Sequence, residues 1–489
     1  MTRTIAVVGS GFAAWGAVRA LAWDDDVCIH IFDVGLTRAT SDWAHRTVHN
    51  AKKCDGSFYS YGINDPDFPT QLESQRLCSS HALGGHSNVY SGAMLYPKNH
   101  DLCDWPQASW PRVEDYTAVL SSLAVLHEPD ALDAVFPVIP EAATVGETPR
   151  SGTVSVVGLS RIATSRSAVD SAQDAAIRPF SLRDEFERWV SAGAVQYTGG
   201  CYVTRVTSRE GRVELSYTVG GVPGAATFDA VFLGAGCVNT TAIVDRSLNQ
   251  SGTRHYSIQS PLLAMHAFFR FPGRANPAVQ IRRRNDVPEL FLELRSPGTG
   301  DSWSHTQLTA INEQIVEAIC ARVPRLLHPL VRQSRHLVYF ALSLQASHGH
   351  ELARLQSTVE SDGTRQKVSI EELPCGPVPQ LVRDVRRAVL RHWRTLRMLP
   401  IPYSGRLVDF FRGNRLGGWH FGGTLPMREQ PSLPTECWPT GEIQGRAGVY
   451  VLDSSAFPSI PASTAALLTM ANGHRVASCW KSRLVPEDC

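Results

Sequence analysis

Residues 4–8, Thr4-Ile5-Ala6-Val7-Val8, carry four consecutive apolar side chains and stop at the turn Gly9-Ser10-Gly11. So short a run without polar alternation predicts a strand buried on both faces, as in a parallel sheet. Ala13 to Ala22 continues as a helical run, Asp24-Asp25-Asp26 as a polar turn, and Val27 to Phe32 as a second strand ending at Asp33. Together they make a complete βαβ start. From about 36 to 80 polar and turn-forming residues dominate, Asn64-Asp65-Pro66-Asp67 most clearly, and the stretch reads mostly as loop. Beyond it, helices are predicted over 112–125 and 181–192. Strands are predicted over Tyr202–Val206 and Arg212–Val219, around the turn Arg209-Glu210-Gly211. Phe228 to Leu233 is a further buried strand closing on Gly234-Ala235-Gly236, so the first sheet resumes near residue 195.

Between 260 and 400 the texture changes. Strand-like stretches at Leu262–Phe271, Glu289–Leu294 and Leu337–Leu344 flank an Arg-rich part, about 306–335, that reads as helical, and a helix over 379–396 leads back. The expected class is α/β: a Rossmann-like nucleotide-binding domain plus a second α+β domain with a largely antiparallel sheet. The first domain is expected to be discontinuous, 1–110, 191–260 and 405–489, with 111–190 and 261–404 forming the second. At 489 residues the chain is long enough for two or three compact units.

Charge and cysteine content narrow the partners. Lys and Arg number 47 against 46 Asp and Glu, a net +1 that gives no field drawing the chain toward nucleic acid. The 11 cysteines show no CxxC pair and no dense cluster, which argues against a disulfide framework or structural zinc and for reduced thiols. The N-terminal apolar run is too short for a signal segment, and no stretch of about 18 apolar residues occurs, so a cytoplasmic protein is expected.

Gly9-Ser10-Gly11-Phe12-Ala13-Ala14, with Gly16 nearby and Asp33 about twenty residues on, fits the fingerprint GxGxx(G/A). Gly9 makes the turn, Gly11 lets a diphosphate approach the backbone, and Ala14 or Gly16 allows close helix packing. Free N–H groups at Phe12 to Ala14 face the phosphates, and Asp33 suits ribose hydroxyls. The motif does not separate FAD from NAD. Near the other end lie Trp419-His420-Phe421-Gly422-Gly423-Thr424, the strand Val449 to Leu452 ending in Asp453, and Phe457-Pro458-Ser459-Ile460-Pro461-Ala462-Ser463-Thr464 at a helix start. His420 by itself reads more readily as a packed core histidine, and Leu83-Gly84-Gly85-His86-Ser87-Asn88 as an ordinary glycine turn.

In order along the chain, the 84–88 loop, Asp104-Trp105 to Tyr116, Leu233 to Asn239, His420 to Thr424 and Asp453 to Arg475 resemble landmarks of the glucose-methanol-choline (GMC) oxidoreductase family. The variant Gly-Gly-x-Ser-Asn-Val with Ser459-Ile460-Pro461-Ala462-x-Thr464 is most similar to bacterial members acting on sugars or specialised metabolites. The resemblance implies FAD, with Gly84, Gly85, Ser87, Asn88, Val203, Gly236, Asp453, Ser463 and Thr464 joining Gly9, Gly11, Phe12, Ala13, Ala14 and Asp33 around it. Some relatives attach FAD covalently through a histidine four residues after the second glycine. Here that position is Val89, so non-covalent FAD is expected. The implied reaction is oxidation of an alcohol to an aldehyde or ketone, with His420 as base and O2 or another electron acceptor as partner. Thr464 stands where most relatives carry His or Asn; it offers one hydrogen bond and no base, and equally suits a helix N-cap.

Two rivals explain part of the pattern: a redox-neutral, lyase-type enzyme on the same flavoprotein scaffold, and an NAD-dependent dehydrogenase that accounts only for the N-terminus. No metal site is expected, because His45 with His49 and His348 with His350 each lack a nearby third ligand in the sequence. Arg322, Arg325, Arg332 and Arg335, interleaved with Leu326, Leu327, Leu330 and Val331, read as the solvated face of a helix rather than as a membrane contact.

Overall fold

The structure is a computed structural model that describes residues 2–35, 58–60, 77–88, 90, 92–126, 144–145, 154–159, 162–164, 180–248, 251–271, 290–295, 303–310, 313–321, 323–334, 337–360, 366–373, 379–391, 393–402 and 420–483. The βαβ start forms as expected: β1 (Arg3–Val8), α1 (Phe12–Leu21) and β2 (Val27–Phe32). Three more strands complete a five-stranded sheet, β3 (Gln196–Thr198), β4 (Ala230–Leu233) and β8 (Val449–Val451), in the spatial order β8-β4-β1-β2-β3. Every pairing is parallel. The unbroken apolar runs are explained by that topology, since Ile5, Ala6 and Val7 and all of β4 are buried.

Helix α1 and the last helix, α4 (Ala465–Ser482), cross at glycines. A Cβ on Gly16 would stand 2.0 Å from Met470 O, and one on Gly473 would stand 2.1 Å from Ala13 O. Only hydrogen fits at either position, so the two backbones touch. Asn472 Nδ2 donates to Leu452 O at 2.8 Å, fixing α4 against the end of β8. Trp15, Phe32, Phe232 and Phe457 fill this core and are fully buried, each stabilising the fold by about 2–3 kcal/mol of transfer free energy.

The second unit is a seven-stranded antiparallel sheet in which β5 (Leu290–Arg295), β6 (Trp303–Ala310) and β7 (Val338–Gln345) are adjacent. Leu262–Arg270 and Met398–Pro400 extend one side, Val154–Leu159 and Thr144–Val145 the other. Helix α3 (Pro379–Arg391) covers one face, packing Leu381, Val385, Ala388 and Val389 on Leu292, Leu294, Leu308 and Ala341. The opposite face carries Phe291, Glu293, His305 and Gln307, all buried although three are polar.

The expected helix over 306–335 is corrected: β6 runs to Ala310, and short helices follow at Glu313–Cys320, Arg325–Leu327 and His328–Ser334. Ser304, Thr306 and Leu308 alternate with His305 and Gln307 between two strands, and Pro324 interrupts the helical stretch. The helix expected over 112–125 ends at Leu120, with a short strand, Ala124–Leu126, after it. Within the stretch expected as loop, Phe58–Ser60 pairs with Cys78–Ser80. Asn64 to Asp67, His45, His49, Val89, Arg322, Arg335 and Trp419 lie outside the described residues. No helix among the described residues is long and apolar enough to cross a membrane. Gly473→Ala should lower stability by about 1–3 kcal/mol or more, because the added methyl meets rigid backbone; chemical denaturation would check it.

Candidate active site

The turn between β1 and α1 leaves an open cradle. Gly9 adopts φ +97°, and a Cβ there would lie 2.5 Å from Gly234 O, whereas a Cβ on Gly11 would meet nothing within 4 Å. Gly85 approaches from the other side, its imagined Cβ 3.2 Å from Gly11 Cα. Gly11 caps α1 without a side-chain bond, so the first-turn N–H groups of Phe12, Ala13 and Ala14 remain available to an anion. The Phe12 ring packs edge-on to Tyr90 at 5.1 Å. Ala14 is small enough to let the chain pass at Gly234, where a Cβ would sit 3.5 Å from the Ala14 methyl.

Ser10, which the fingerprint leaves as an unspecified residue, ties the cradle together. Its hydroxyl donates to Asp33 Oδ2 and accepts from Gly84 N at 2.9 Å. Asp33 also accepts from Tyr197 Oη at 3.3 Å. Burial raises the Asp33 pKa above the usual carboxylate value, and the bonds from Ser10, Gly35 and Tyr197 oppose that rise. The N–H of Cys201 donates to Asp33 O at 2.9 Å, and Val203 lies two residues on, buried on the same side of its strand.

Within the 84–88 loop the polar side chains hold the loop itself. Ser87 Oγ donates to Gly84 O at 2.7 Å and accepts from Leu182 N at 3.1 Å. Asn88 Nδ2 donates to Leu83 O and Gly85 O, both at 2.9 Å. These bonds hold the turn in which Gly85 approaches Gly11.

Asp453 joins the end of β8 to the start of α2 (Cys237–Ser247). Its Oδ2 accepts from Gly236 N at 2.9 Å and Thr240 Oγ1 at 2.6 Å, its Oδ1 from Ser455 N at 3.0 Å and from the Ser455 hydroxyl. Burial raises its pKa, and these bonds pull it back. Thr464 occupies the N-cap position of α4 but makes no side-chain cap; its hydroxyl donates to Ala93 O at 3.1 Å. The first N–H groups of α4 thus stay free for an anionic or electron-rich group. Beside them, the buried Ser463 Oγ has no partner among the described residues.

The His420 segment is fixed from two sides. Gly422 exchanges both backbone bonds with Gln259, at 2.8 and 3.0 Å, and Gly423 N donates to Ser454 O at 2.9 Å. A Cβ on Gly422 would lie 2.1 Å from Ser454 O, so glycine is required there. His420 keeps some exposed surface, yet desolvation holds its pKa down at about 4, with the charges of His86 and His305 pushing the same way. Burial also holds His86 at about 4, against a hydrogen bond to the Cys78 backbone that favours the protonated ring. The imidazoles of His420 and His86 are therefore neutral near pH 7.

Sequence reasoning missed the third imidazole. His305 and Glu293 are directly opposed on β6 and β5, with Nδ1 3.1 Å from Glu293 Oε1, and Lys98 Nζ lies 2.6 Å from Glu293 Oε2. Nδ1 faces the carboxylate, so Nε2 is the ring nitrogen left for another partner. That Nε2 is buried and has no partner among the described residues, as does Gln307 Nε2 on the same strand face. The signal was the period-2 alternation of 303–308, hidden once the stretch was read as helical.

Solved structures share this fold. A crystal structure of pyridoxine 4-oxidase from Mesorbium loti matches with a TM-score of 0.64 at 14% identity, over 98% of this chain and 99% of that one. An FAD-dependent oxidoreductase from Chaetomium thermophilum, bound to a fragment containing pyridine and thiophene rings, matches with a TM-score of 0.60 at 12% identity, over 99% of this chain and all of that one. No protein-family model matches the chain, and no curated protein matches its sequence. The chain thus has the two-unit α/β architecture seen in FAD-dependent oxidoreductases, with sequence far diverged from these two.

Proposed function

We propose that the protein is a GMC-type flavoenzyme that oxidises an alcohol on a polyhydroxylated or natural-product small molecule to an aldehyde or ketone. The reading rests on one observation: the glycine turn open at Gly11 and packed against Gly85, the uncapped start of α4 and the His420 segment are anchored in one core. The segments 1–110, 191–260 and 405–489 would hold non-covalent FAD, and 111–190 with 261–404 would face the substrate. FAD supplies a hydride acceptor when bound, later reoxidised by O2 or another acceptor.

The chain's own residues do the rest. Gly9, Gly11 and the N–H groups of Phe12 to Ala14 bind the diphosphate, and Asp33 the adenosine ribose. Ser463 and the α4 N-terminus place donors and positive potential where negative charge develops on reduction. His420 Nε2 or Nδ1 takes the hydroxyl proton of the substrate, which requires a neutral imidazole. Thr464 bonds to Ala93 O, so His305, oriented by Glu293 and Lys98, is the better second partner for the substrate oxygen. Gln307 adds a buried donor for an acceptor on the substrate.

The purified protein should be yellow, and anaerobic addition of its alcohol should bleach the flavin absorbance. Bound flavin that no alcohol bleaches would instead support a redox-neutral reaction, and colourless protein a nicotinamide-dependent one. His420→Ala should slow anaerobic flavin reduction about 10²- to 10⁴-fold in stopped flow; an unchanged rate removes it as base. Because the imidazole is the base only when unprotonated, that rate should fall as pH drops through about 4 and stay level near neutrality. His305→Ala should slow the same step about tenfold to a hundredfold while FAD content stays at the wild-type level, as for a lost hydrogen bond of about 1.5–3 kcal/mol.

A further inference from the structure

Away from the His420 centre, three side chains of metal-binding type meet at the surface. His100 lies in the short helix Asn99–Leu102 and Cys103 caps its end, while His348 comes from the turn between β7 and the strand Glu351–Val359. The three ligand atoms lie within 4.8 Å of one another. His100 Nε2 and His348 Nε2 stand 3.2 Å apart, and Cys103 Sγ is 3.8 Å from His348 Nδ1. Two nitrogens on one tetrahedral zinc, each at about 2.0–2.1 Å, are separated by about 3.3 Å, so the imidazole pair already has that spacing. Asp104 Oδ2 lies 2.7 Å from His348 Nδ1 while Nε2 of the same ring faces His100, the arrangement of a carboxylate supporting a ligating histidine.

We propose that His100, Cys103 and His348 bind a divalent ion of zinc type, with Asp104 orienting His348. Two imidazoles and a thiolate favour a borderline-soft transition ion over calcium or magnesium. The Cys103 thiol proton passes to solvent on binding, and water fills the fourth position. His350, the strand-spaced neighbour that the sequence offered as a pair for His348, is not part of the set.

The position gives the ion a role. Both ligand-bearing turns grip the segment that leads into Ser463 and Thr464. From one side Asp101 Oδ1 accepts from Ala462 N at 3.1 Å, and Trp105 Nε1 donates to Ser459 O at 3.2 Å. From the other, Ser347 Oγ accepts from Ile460 N at 2.7 Å, and Ser347 N donates to Ile460 O at 2.9 Å. A metal joining the two turns closes a clamp around residues 459–462, and so braces the approach to α4.

Zinc sulfate titrated by calorimetry into chelator-treated holoprotein should saturate at one equivalent per chain and raise the melting temperature. Cys103→Ser combined with His348→Ala should abolish both effects, and Asp104→Asn should weaken binding about 10- to 100-fold. Cobalt loaded into the wild type should give tetrahedral d–d bands in the red, where oxidised flavin does not absorb. Absence of saturable zinc binding, binding that survives the double substitution, or a wild-type cobalt spectrum without those bands would each overturn the assignment. None of these readouts depends on alcohol oxidation.

Discussion

The reciprocal contact of Gly16 with Met470 O and of Gly473 with Ala13 O is the constraint on which the site depends. It brings the first helix and the last into backbone contact, so residues separated by most of the chain share one core. The cradle at Gly9 to Ala14 and the start of α4 are then both anchored to the same parallel sheet. Asp453 completes the arrangement by binding Gly236 and Thr240 on one side and Ser455 on the other. A buried carboxylate with four donors costs less desolvation than an unpaired one, and in return it fixes the ends of β4 and β8 and the start of α2 relative to each other.

Much of this unit was legible in the sequence because its signals are local. The uninterrupted apolar runs at Ile5–Val8 and Ala230–Leu233 read as strands buried on both faces, and the glycines at 9 and 11 marked a turn and a close approach. The hairpin at Arg209-Glu210-Gly211 was equally plain, with positive φ at Glu210 and Gly211. The second unit was harder. Thr306 to Ala310 carries mixed polar and apolar residues whose meaning depends on neighbours far away in the chain: Ser343 bonds to Thr306 at 2.8 Å, and Glu293 to His305. Without those partners the stretch merged with the arginine-rich helices that follow. The error concealed His305, and with it the polar wall of the second sheet.

The two kinds of polar residue near His420 illustrate how role follows from surroundings. Ser87 and Asn88 look like ligand-binding donors by type, yet their bonds are spent on Gly84, Gly85, Leu83 and Leu182. His305 and Gln307 look like ordinary strand residues, yet each leaves a buried nitrogen unmatched. Such unmatched groups destabilise a fold unless something else meets them, which is why they point to a binding surface and the satisfied ones do not.

The bridge between Gln259 and Gly422 has one further implication. Gln259 ends a strand that pairs with 351–359, while Gly423 is bonded to Ser454 beside the parallel sheet, so the backbone carrying His420 is stitched between two sheets that share one core. Displacing either sheet would strain those bonds and carry the imidazole with them.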